Sequence, residues 1–99
     1  MPITLGTDLN DPDTRPWFLW DDPMTVEEVH RVLAEGSDEA RTRLLARIMR
    51  EARDIDVWVF TTPADVIREW EKLEPMLGRR RAFWSWLLGQ WIERGLVDL

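Results

Sequence analysis

The chain has 99 residues, 44% hydrophobic and 32% charged, with a formal net charge of −6, one histidine and no cysteine. This describes one globular domain with a single modest core, too short for two domains and too apolar for a disordered chain. Disulfide scaffolds and thiolate metal sites are excluded, the acidic balance opposes long-range attraction to nucleic acid, and no apolar run is long enough to span a membrane.

Residues 1–16 hold Gly6, Asn10, Pro12 and Pro16 among polar side chains, and read as an extended lead-in outside the core. They carry no basic n-region followed by an apolar run, so the expected setting is the cytoplasm. The domain proper is expected over residues 17–99. It opens on an aromatic box, Trp17, Phe18, Leu19 and Trp20, followed by Asp21, Asp22 and Pro23. Such a cluster is either clasped against the core or offered to a partner, because large exposed aromatic patches are rare on soluble monomers.

The first helix is announced by Thr25 as N-cap, Glu28 completing a capping box, and Met24 and Val29 as a hydrophobic staple. Val26, Val29, His30 and Leu33 form its apolar side, and Gly36 is expected to stop it in the left-handed conformation. A second helix starts at Ser37 with Asp38 and Glu39 in its first turn, and directs Leu44, Leu45, Ile48, Met49 and Ala52 to one face. Beside them run Arg43, Arg47 and Arg50. Local propensity in "DIDVWVFTT" favours a strand, but a lone strand lacks a partner, and a short helix is the preferred reading.

Thr62, Pro63 and Asp65 begin another helix, whose inward side is Val66, Ile67, Trp70 and Leu73 and which ends at Glu74 before Pro75. The last helix is expected over residues 79–94, with Phe83, Trp84, Leu87, Leu88, Trp91 and Ile92 on a broad apolar face and Gly95 closing it. The resulting fold class is all-α, a compact bundle of four to five short helices stacked as hairpins. At about 100° per residue, Trp86 falls away from the main stripe. Ala82, Ser85 and Gly89 share a neighbouring sector, and a mid-helix glycine costs about 1 kcal/mol against alanine, so something is expected to approach Gly89 closely. Another helix of the same chain is the ordinary explanation; a partner is the other.

The segments "PWFLWDDPMTVEEV", "RLLARIMREARDIDVW" and "LEPMLGRRRAFWSWLLGQW" together resemble a family of small bacterial helical proteins with an "FLWD" aromatic box. These are encoded beside nucleotidyltransferases of the abortive-infection toxin type. The resemblance spans about residues 16–92 and implies an antitoxin or toxin-associated partner, with a helical junction at Asp56 to Trp58. It carries no catalytic residues over.

Residue chemistry argues against an enzyme. His30 is the only histidine, and Ser37 and Ser85 sit at a cap and in mid-helix, leaving no nucleophile and base pair. Asp21 with Asp22, and Asp54 with Asp56 near Glu51, read as solvated acids rather than a metal or acid–base site. The five glycines are too widely spaced for a phosphate loop, and no cofactor or metal is expected. The leading expectation is a non-catalytic interaction protein that blocks a nucleotidyltransferase toxin through Trp17, Trp20, Asp21, Asp22, Trp86 and Gln90. The alternatives are a nucleic-acid-binding regulator using Arg43, Arg47, Arg50, Arg79, Arg80 and Arg81, and a tryptophan-closed homodimer.

Overall fold

In the computed structural model, residues 5, 6, 8–19, 21 and 23–95 are described. Trp20 and Asp22, both singled out above, lie outside the described residues. Six α-helical segments follow one another among those described: α1 (Val26–Glu35), α2 (Asp38–Glu51), α3 (Asp54–Val57), α4 (Pro63–Arg68), α5 (Trp70–Leu73) and α6 (Arg81–Glu93). The fold is all-α, as the periodicity indicates. Its one departure is a two-residue parallel pairing of β1 (Leu5–Gly6) with β2 (Arg15–Pro16). No helix among the described residues is long and apolar enough to cross a membrane.

The lead-in is not outside the core: Leu9 and Pro16 are buried. Its path is set by short local bonds, Asn10 N–H to Asp8 at 3.1 Å and Asp13 N–H to Asp11 at 2.9 Å, the side-chain turns that Asp favours. The loop then serves α1. A helix begins with four unpartnered N–H groups. Val26 N–H donates to the Thr14 carbonyl at 2.8 Å, Glu27 N–H to the Pro12 carbonyl at 3.1 Å, and Glu28 N–H to the Thr25 hydroxyl at 3.2 Å. Thr25 is therefore the N-cap foreseen, supplemented by backbone acceptors that no local motif reveals.

Gly36 corrects the expected left-handed stop. Its φ is −68°, in extended backbone that leads straight into the Ser37 cap of α2. Glycine is needed there for space, since a Cβ would lie 2.5 Å from the Val32 carbonyl oxygen. The left-handed glycines are instead Gly95, which follows the end of α6 where a closing glycine was expected, and Gly78, with φ of 70° and 55°.

Residues 55–57 belong to the short helix α3 and residues 58–60 continue it as a turn, with no strand. Val57 and Phe60 are buried, whereas Ile55 and Val59 are exposed. A strand would put Val57 and Val59 on one face; the three- and four-residue spacing of a helical turn separates them. The helix expected from Pro63 to Leu73 is broken at Glu69 into α4 and α5, and the Pro75 region continues as a 3₁₀ turn at Glu74–Met76. A second 3₁₀ turn, Gly78–Arg80, leads into α6, which starts two residues later than expected.

The core centres on Trp84, which is fully buried and donates its indole N–H to the Met49 carbonyl at 2.8 Å. That carbonyl belongs to the last turn of α2, where helical acceptors run out. Arg80 donates to the Ala52 carbonyl at the same end, and its guanidinium lies 5.1 Å from the Phe83 ring centre. Two residues of one short segment thus close the C-terminus of α2 with a neutral donor and a positive charge, the sign its dipole favours.

Candidate interaction surface

Five of the six arginines proposed for nucleic acid are already engaged within the fold. Arg43 pairs with Glu39 at 2.7 Å, and Arg50 donates to the Met76 carbonyl at 3.0 Å. Arg47 binds Asp21 and approaches the Phe18 carbonyl at 3.5 Å, while Arg81 meets Glu74 at 2.7 Å. Arg80 caps α2 as described. The burden of three arginines at a helix N-terminus is met by Glu74 and by the negative end of α2, inside the protein. Arg79 is exposed and makes no side-chain hydrogen bond or ion pair among the described residues.

The aromatic box is mostly a clasp. Phe18 and Leu19 are buried, and Trp17 is half-buried, edge-on to Phe18 at 5.5 Å. Phe18 in turn packs edge-on to Phe60 at 5.9 Å, which ties the box to the turn after α3. Edge-to-face contacts of this kind add to area burial because the positive ring edge meets the negative ring face. Asp21 is the exposed end of the clasp. The hydrogen bond from Arg47 holds its carboxyl below the ordinary value of 3.8. Of the box residues proposed for a partner, the structure therefore gives Trp17 a packing contact and Asp21 an intramolecular one. Asp56, from the second acidic cluster, is buried and bound by Arg53 at 2.9 Å. Among the described residues no three His, Cys, Asp or Glu side chains converge as a metal site would require.

Trp86 is different. It is 61% exposed, the most open large aromatic among the described residues; Ile92, farther along α6 and about 120° round it, is 40% exposed. Gln90, one turn from Trp86, is half-buried beside it. On the sector of α6 that carries Ser85, Gly89 and Ile92, these residues with Ile67, Trp70 and Leu88 line a shallow, mainly apolar cleft of about 200 Å³. The close approach expected at Gly89 is absent: a Cβ built there would meet no atom of another element within 4 Å. The glycine leaves a notch open to solvent rather than accommodating a neighbouring helix.

The cleft walls from α4 and α5 escaped sequence reasoning because Ile67 and Trp70 read simply as core. Both are half-buried, Ile67 at the end of α4 and Trp70 at the start of α5, on either side of the break at Glu69. A second exposed apolar pair, Ile55 and Val59, lies one helical turn apart across the α3 turn, and no sequence signal marked it. Comparison of the chain with protein-family models, with curated proteins and with solved structures returned no match.

Proposed function

We propose that this chain is a non-catalytic, cytoplasmic protein-interaction module that docks its partner on the exposed face of α6, with Trp86 as the anchor. One observation carries the reading: a tryptophan left open to solvent beside a helical glycine whose missing side chain nothing within the fold requires. Aromatic anchors flanked by a cleft are the usual hot spots of protein interfaces, and a mid-helix glycine with no internal purpose fits a surface that another chain must approach.

The resemblance to the "FLWD" proteins makes a nucleotidyltransferase toxin the first partner to try. The protein would act as antitoxin or accessory factor by covering the toxin's cleft, and its net charge of −6 suits a basic, nucleotide-binding surface. The test is calorimetric titration of the toxin with the parent chain and with Trp86→Ala. Loss of a central anchor should cost about 2 kcal/mol or more, roughly thirtyfold in Kd, with unfolding unchanged within about 0.5 kcal/mol. Unaltered affinity, or a variant that no longer folds, removes Trp86 as the anchor.

A further inference from the structure

We infer that the same α6 face pairs with a second copy of this chain, the two helices antiparallel and Trp86 of each copy seated over the Gly89 notch of the other. The inference rests on α6 being a docking surface and names its occupant when no other partner is present. The face is self-complementary: Ala82, Trp86, Gly89 and Glu93 follow the alternating four- and three-residue spacing of a helix-packing seam. All four are exposed. Knob and notch therefore sit three residues apart on one helix. A two-fold axis passing midway between them brings each knob onto the other copy's notch, the defining property of an isologous contact.

Charge selects the antiparallel arrangement. Arg79, ahead of α6, and Glu93, at its end, are both exposed and neither forms an ion pair among the described residues. With the axis midway between Trp86 and Gly89, Arg79 of one copy and Glu93 of the other lie about 5 Å apart along the axis, within reach of two long side chains. The helix dipoles then oppose. A parallel pairing would set residues Arg79 to Arg81 of both copies side by side and align the dipoles, and both effects are repulsive.

Area sets the strength. The 13 residues of α6 make a strip about 20 Å long, and two tryptophans bury about 150–250 Å² each, short of the roughly 1,200 Å² of a stable interface. The pairing is accordingly a weak equilibrium that a larger partner can displace.

Sedimentation velocity of the full chain from about 10 μM to about 1 mM tests it. The mass of the parent should rise with concentration from one chain toward two. Trp86→Ala and Gly89→Leu should remain monomeric while melting as cooperatively as the parent. A Cβ at Gly89 has no atom within 4 Å, so a leucine there occupies the notch and blocks pairing, and its cooperative melt verifies that the monomer is intact. Arg79→Glu and Glu93→Arg should each weaken the dimer, and the two combined should restore it. A parent that stays monomeric throughout, a mass that grows past two chains, a dimer indifferent to Gly89→Leu, or a charge exchange without rescue would each overturn the pairing. Failure of the docking reading is separate: it would appear as Trp86→Ala binding the toxin with undiminished affinity.

Discussion

Gly89→Ala should stabilise the folded chain. Gly89 lies inside α6, where glycine is less favourable than alanine by about 0.8–1.0 kcal/mol because its unfolded backbone has more freedom to lose. In a tightly packed helix that gain would be cancelled by collision of the new methyl with a neighbour. Here a Cβ at this position meets no atom of another element within 4 Å, and the residue is exposed, so the full gain should be realised. For a domain of this size a change of about 1 kcal/mol moves Tm by roughly 4–8 °C. Thermal and urea unfolding followed by circular dichroism, at a protein concentration low enough to keep the chain monomeric, should show a higher midpoint with an unchanged urea m-value. A midpoint that falls would mean that another element does press on Gly89. The notch, and with it the docking reading of α6, would then lose its physical basis.

Trp84→Phe keeps a ring in the core but strands the Met49 carbonyl at the end of α2. A loss of about 1–3 kcal/mol in urea unfolding is expected from the unpaired acceptor, and more from Trp84→Ala, about 3–5 kcal/mol. A near-neutral Trp84→Phe would show that the indole bond is not what closes α2. The Asp21 latch gives a pH dependence: because Arg47 lowers the Asp21 pKa below 3.8, the latch contributes stability above the ordinary value and loses it as pH falls through the lowered one. Asp21→Asn should accordingly be less stable at neutral pH and show a shallower loss below pH 3.8, read as the urea midpoint against pH. An acid profile identical to the parent's would place the latch outside the stability balance.

The sequence by itself determined what depends on near neighbours. Thr25, Ser37 and Thr62 each accept a bond from the backbone N–H three residues on, because a capping side chain needs only the first turn of its own helix. The exposure of Trp86 was legible for the same reason: helical phase is a local property, and the stripe from Trp84 to Leu88 leaves Trp86 on the far side. Tertiary structure decided what depends on distant groups. That residues 55–60 coil as a short helix and a turn rather than extend rested on Val57 and Phe60 finding the core, which outweighed the strand propensity of their side chains. The arginines of α2 and of the segment before α6 looked like free charge; carbonyls and carboxylates more than 20 positions away claimed Arg47, Arg50 and Arg80. Gly89 is the clearest division. Its helical position announced a cost to stability, but only the arrangement of α4, α5 and α6 around it showed that the space beside it is open, because packing is a relation between elements that no single helix contains.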